Sequence, residues 1–227
     1  TEGLTDAKFY LTDDVSYPED FTLKLPIYSG KTVTLCLNGH KITVGKDPTE
    51  ANKKPLFTVR DGATLNICDC QGDGVMQGGL NRDKDPRFGG KTLESLIQVE
   101  GGGTLNLYSG KLYGEYGMFD KVVDGTTYYM KPIVQLEDGS TFNMSGGTVE
   151  HWMHPDSASS GLRAYCPSVS GDGTFTVTGG TLIGAIANYV KIDGADEKNP
   201  VYIDGNCYDI SGKTIRNAVI KKASYLR

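Results

Sequence analysis

Gly102-Gly103-Thr104-Leu105-Asn106-Leu107 is one of a set of matching segments. The others are Gly62-Ala63-Thr64-Leu65-Asn66-Ile67, Gly139-Ser140-Thr141-Phe142-Asn143-Met144 and Asp172-Gly173-Thr174-Phe175-Thr176-Val177, with a looser copy at Gly30-Lys31-Thr32-Val33-Thr34-Leu35. The aligned threonines Thr32, Thr64, Thr104, Thr141 and Thr174 lie 32, 40, 37 and 33 residues apart. Five residues before each threonine stands an apolar residue: Ile27, Val59, Val99, Leu136, Val169. The offset of five holds while the spacing varies. Each unit therefore has a rigid part and an elastic part.

A further apolar anchor follows each copy, at Ile42, Val75, Leu112, Val149 and Leu182. Turns such as Ser145-Gly146-Gly147 and Thr178-Gly179-Gly180 separate it from the middle segment. Each unit reads as three short strands. The middle one alternates with period two: Leu105 and Leu107 point one way, Thr104 and Asn106 the other. Units of this size without an amphipathic helix cannot bury their apolar faces alone. Stacked as coils they can, each strand pairing in parallel with its counterpart at ~4.8 Å. The inward set becomes an apolar core, and the outward set becomes ladders of Thr and Asn. The expected fold is all-β, a right-handed parallel β-helix of about five three-stranded coils with terminal caps. Propeller blades share the period but need four antiparallel strands each.

The composition agrees. Of 227 residues, 30 are glycine, about twice the usual ~7%. A 38% apolar content supports a packed core, and the net charge of −5 argues against a nucleic-acid surface. No apolar run is long enough to span a bilayer. Five cysteines, an odd count, do not read as a disulfide framework, and Cys36 and Cys68 are expected to stack as free thiols on one rung. The opening Thr1-Glu2-Gly3-Leu4-Thr5-Asp6 carries no leader pattern, which leaves open whether a leader precedes it.

The run from Phe9 to Thr12, then Ser29 to Ile42, then Asp61 to Asp69, and the repeated Ser/Thr-Gly-Gly-Thr turns resemble β-helix modules of large bacterial cell-surface proteins. These are similar to the pectin-lyase-like fold class. The resemblance covers about residues 9–190 and rests on strand and turn positions, not on a catalytic set. It implies an extracellular or cell-surface module of a longer chain, with an adhesive or glycan-related role. No cofactor is expected.

As one domain, the chain is expected to divide into a cap over residues 1–26, stacked coils over 27–185, and a last partial coil with a second cap over 186–227. Length variation concentrates after the third strand, in inserts running from Gly45 to Pro55, Gly78 to Ser95, Gly114 to Pro132 and His151 to Tyr165. Loops on a rigid scaffold are where binding usually resides. The expected ligand contacts are Trp152, Tyr116, Tyr128, Tyr129, Arg87 and Arg163 from these inserts. Gln98 and Gln135, flanked by Thr58 and Ser168, would add a neutral polar stripe suited to sugars. An ordinary amide ladder explains the same stripe.

Catalytic candidates are fewer. Glu100 and Glu137 follow the first-strand anchor on adjacent coils, at about the ~5 Å spacing of a retaining glycosidase pair. Arg60 on the same rung offers a plain surface charge ladder instead. His151 and His154, with Asp156 nearby, have acid–base or metal-ligand composition, but Pro155 opposes a helix that would aim both rings together. Asp83 and Asp85 have calcium-loop spacing after Asn81, yet Pro86 occupies the place of the required glycine. Two readings result: a non-catalytic surface module that spaces, adheres or binds carbohydrate on its long-loop face, and a polysaccharide lyase or glycoside hydrolase with a groove beside the first-strand sheet.

Overall fold

The computed structural model describes residues 6–17, 25–27, 29–44, 55–78, 95–115, 121–123, 126–128, 132–152, 167–183, 185–186, 191–193, 201–204 and 218–222. These residues form a right-handed parallel β-helix with no helix among them. Six three-stranded coils follow one another. They are Leu25–Ile27, Thr32–Cys36 and Lys41–Val44; Phe57–Val59, Thr64–Cys68 and Val75–Gln77; Ile97–Val99, Thr104–Leu107 and Lys111–Glu115; Val134–Leu136, Thr141–Met144 and Thr148–Trp152; Pro167–Gly171, Thr174–Val177 and Thr181–Ile183; and Ala185–Ile186, Lys191–Asp193 and Val201–Asp204. Each strand pairs in parallel with its equivalent in the next coil, building three sheets, here the first-, middle- and third-strand sheets.

The stack extends further toward the N-terminus than the sequence suggests. Ala7–Tyr10 pairs with the middle strand of the first coil, Ala7 opposite Val33, and Val15–Tyr17 pairs with its third strand. Leu25, placed by the sequence reading in a cap, is opposite Phe57 in the first-strand sheet. At the other end Ala218–Lys222 adds a rung beside Val201–Asp204.

The alternation sets the core. Val33, Leu65, Leu105, Phe142 and Phe175 form one buried column, and Leu35, Ile67, Leu107, Met144 and Val177 a second. The Phe142 and Phe175 rings stack at 4.8 Å between centroids. Val59, Val99 and Leu136 are successive neighbours in the first-strand sheet. Burying each such side chain stabilises the fold by about 1.5–3 kcal/mol.

The constant offset of five has a local cause. Ala63, Gly103 and Ser140 each donate a backbone N–H to the carbonyl three residues back, on Arg60, Glu100 and Glu137. The turn needs positive φ at its centre, met by Asp61 and Gly62 (55° and 74°) and by Gly101 and Gly102 (55° and 75°). On the outer face of the middle-strand sheet the amides link coil to coil. Asn66 donates to Thr34 Oγ1 at 3.1 Å, Asn106 to Asn66 Oδ1 at 2.8 Å and Asn143 to Asn106 Oδ1 at 2.8 Å.

Two registers differ from the sequence reading. In the second coil the inward third-strand residue is Met76, opposite Ile42 and Leu112, and Val75 is only half-buried. The corner at Asp69–Gly74 is longer than its neighbours, which shifts the anchor by one place. In the fifth coil Val169 pairs with Val134, and Gly171 with Leu136. The corner before Thr174 is two residues shorter, so the strand slides by two. A slide of two keeps every side chain on its own face.

Candidate functional site

The structure aligns the polar stripe of the first-strand sheet. Gln98 is opposite Thr58 on one side and Gln135 on the other. The next residue in the row is Ser170, not Ser168, because of the slide in the fifth coil. Ser168 is instead buried at 1% exposure. The Gln135 amide nitrogen lies over Gly171, 2.9 Å from where a Cβ would stand. Only a residue lacking that atom leaves it room.

Glu100 and Glu137 sit on successive coils at the start of the same turn. Their carboxylates are joined by one group. The Gln98 side-chain amide donates to Glu100 Oε2 at 3.1 Å and to Glu137 Oε1 at 2.8 Å. A retaining pair needs the glycosidic bond between its two carboxyls. Here that space holds the Gln98 amide, and both carboxylates act as its acceptors. Arg60, on the rung before, pairs within its own turn with Asp61 at 3.6 Å.

His151 and Trp152 were expected in a loop. Both belong to the strand Thr148–Trp152, with His151 opposite Gly114 and Trp152 opposite Glu115. His151 is buried at 7% exposure. Its ring covers Gly114, where an added Cβ would meet His151 Cδ2 at 3.2 Å and Ile133 Cγ1 at 3.1 Å. His151 thus packs near Ile133, at the start of the first strand. Glu137 follows that strand's end, about 13 Å further along an extended chain. The histidine and the carboxylates do not converge. On the outer third-strand sheet, Lys111 pairs with Glu150, and its ammonium lies 4.7 Å from the Tyr113 ring centroid.

Tyr128 belongs to an antiparallel hairpin, Lys121–Val123 with Thr126–Tyr128, in which Lys121 is opposite Tyr128. The Asp124-Gly125 dipeptide between Val123 and Thr126 is a hairpin signal in the sequence. Tyr116, Tyr129, Arg87, Arg163, His154, Asp83, Asp85 and Asp156 lie outside the described residues. Among the described residues no group of three or more His, Cys, Asp or Glu is placed to hold a metal ion. Among them, too, no helix is long and apolar enough to cross a membrane.

The sequence reading missed the corner centred on Asp69. Its carboxylate is buried and accepts backbone N–H groups from Gly39 at 2.7 Å, Gly72 at 2.8 Å, Gly74 at 2.8 Å and Gln71 at 3.4 Å. Burial pushes this carboxyl up, and the four amides outweigh it, so its pKa falls below the ordinary value. Its backbone N–H donates to Ser109 Oγ at 2.7 Å, and the Ser109 hydroxyl donates back to the Asp69 carbonyl at 2.9 Å. The residue ties three successive coils. The signal was Cys68-Asp69-Cys70, where the strand's alternation stops. His40 is structural: it closes the Leu37–His40 turn through its N–H and lies 3.3 Å from Asp14.

No protein-family model, no curated protein and no solved structure matches this chain.

Proposed function

We propose that this chain is a non-catalytic, extracellular β-helix module of a bacterial surface protein, a rigid scaffold that spaces and adheres. Carbohydrate is its ligand class, on the stripe of Gln98 and Gln135 and the long-loop side. The resemblance to pectin-lyase-like surface repeats is part of this reading. The observation that carries it is the Gln98 amide lodged between Glu100 and Glu137, which fills the place a hydrolase would keep for substrate. Row-aligned amides suit sugar hydroxyls, and the third strand of the coil that carries Gln135 ends at Trp152.

The test is a panel of plant and microbial polysaccharides, scored for both binding and release of reducing or unsaturated ends. The expected result is binding without product. The double substitution Gln98→Ala, Gln135→Ala lowers affinity about tenfold, the loss of one or two hydrogen bonds. Trp152→Ala lowers it as well. Product release that Glu100→Gln abolishes, with binding kept, would establish the polysaccharide-active enzyme instead. Absence of binding across the panel removes carbohydrate from the proposal.

A further inference from the structure

Three thiols meet at the corner beside Asp69. Cys36 and Cys68 are opposite each other in the middle-strand sheet, and Cys70 follows two residues on. The Sγ of Cys36 lies 3.2 Å from the Sγ of Cys70. The Cys68 thiol donates to the Leu35 carbonyl at 3.7 Å and is also a hydrogen-bond neighbour of Cys36. The Cys70 thiol also donates to Asn38 Oδ1 at 3.2 Å. All three are free, Cys70 exposed and the others half-buried. The register places the in-row pair Cys36 and Cys68 at strand spacing, wider than the ~3.8 Å between Cβ atoms that a disulfide prefers. Cys70, past the strand's end, is not held to that spacing.

We propose that Cys36 and Cys70 form a reversible disulfide that clamps one coil to the next, with small-molecule disulfides of the glutathione type as the oxidant. The proposal is independent of any carbohydrate role. The reaction has two steps. The Cys36 thiolate attacks one sulfur of the reagent disulfide; a protein–reagent S–S bond forms, the reagent's own S–S bond breaks, and one thiolate leaves. Cys70 then gives up its proton to solvent, and its sulfur attacks the Cys36 sulfur, expelling the second reagent thiolate. Both released thiolates take up protons. The protein loses two electrons and two protons, and one reagent disulfide becomes two thiols.

The local chemistry assigns the roles. Burial pushes the Cys36 thiol up, but the Cys70 thiol, the Asn38 and Cys70 backbone amides and, least, the Cys68 thiol outweigh it, and Cys36 falls below its ordinary value. Hydrogen bonding with Cys36 leads the causes that push Cys70 up. Burial, and then the Cys36 charge, push Cys68 up to about 11. Cys36 is the attacking sulfur, Cys70 the resolving one, and Cys68 stays protonated. Asp69, fixed by its amides between Cys68 and Cys70, holds the arrangement in place.

The test uses the whole chain, treated with glutathione disulfide, alkylated without reductant and mapped by peptide mass. The expected product is a peptide pair linked through Cys36 and Cys70, lighter by two hydrogens and reversed by dithiothreitol. Oxidation should raise the melting temperature by about 5 °C, since the link closes a long loop. In Cys70→Ser, whose side chain is exposed, a glutathione adduct should accumulate on Cys36. In Cys68→Ser the Cys36–Cys70 link should form unchanged. A link through Cys68, a lasting glutathione adduct on Cys36 in the unsubstituted chain, or no oxidation at all would overturn the proposal.

Discussion

The Asp69 carboxylate accepts the Gly39 backbone N–H from the preceding coil at 2.7 Å. Three more amides of its own corner converge on the same two oxygens. A charged acceptor with four donors replaces the carbonyls that a regular strand would have offered. It lets the second coil carry a long corner without leaving buried N–H groups unpaired.

Replacing that carboxylate should be costly. Asp69→Ala strands several backbone donors and should lower stability by about 3 kcal/mol. Asp69→Asn keeps one acceptor oxygen and should cost less. The depressed pKa sets the pH dependence. The folded value lies below the unfolded one, so the stabilisation is complete above the unfolded value near ~3.9 and is lost as pH falls through the folded value. Urea midpoints measured from neutral pH down to acid should show the gap between the native chain and Asp69→Asn closing only in acid. A gap constant with pH would exclude the carboxylate as its source.

The amide ladder should behave as a shared network. Asn106 both donates to Asn66 and accepts from Asn143. Asn106→Ala should therefore cost about 1–2 kcal/mol, more than Thr34→Ala, which removes only a terminal acceptor. Paired substitutions of Asn66 and Asn106 should cost less than the sum of the single changes, because they share one hydrogen bond. Strict additivity in a double-mutant cycle would show that the ladder carries no energy.

The core column offers a cavity test. Phe142 is fully buried and stacks on Phe175. Phe142→Ala should destabilise by about 3–5 kcal/mol, and Phe142→Leu by about 1–1.5 kcal/mol. Thermal unfolding checks both. A small effect for the alanine would mean that the coils collapse onto the gap.

These elements differ in how plainly the sequence announces them. The alternation in Thr104–Leu107 and the offset from Val99 to Thr104 depend on neighbours in the chain, so they can be read directly. The opposition of Glu100 with Glu137 and Gln98 with Gln135 then follows from stacking alone. What joins the two carboxylates does not follow, because it depends on the rotamer that Gln98 adopts between coils. His151 reads as a loop residue because the third strand runs longer in that coil than in the first two, and nothing in the local pattern marks where it ends. The pattern points to Val75 where the inward residue is Met76, because nothing local reports how many residues a corner stabilised by a buried carboxylate can hold.

The slide in the fifth coil left no trace in the pattern, since moving by two residues preserves which side chains face inward. It does leave a mark at Gly171. Were Val169 opposite Leu136, Gly171 would fall in the open turn, at the place of Asp138. In the register found, Gly171 is opposite Leu136 with φ 121°, and an added Cβ would lie 1.7 Å from the Leu136 carbonyl oxygen. Gly62, in the open turn of an earlier coil, has φ 74° and nothing within 4 Å of an added Cβ. Gly62→Ala should cost about 1–2 kcal/mol, the price of a left-handed alanine. Gly171→Ala adds a backbone collision to the same kind of strain and should cost at least about 3 kcal/mol. The loss should be local first, with amide hydrogen exchange rising at Thr174, Phe175 and Val177 before it rises at Leu105 and Leu107. Equal costs for the two substitutions would mean that Gly171 stands in the turn and that the fifth coil keeps the register of the fourth.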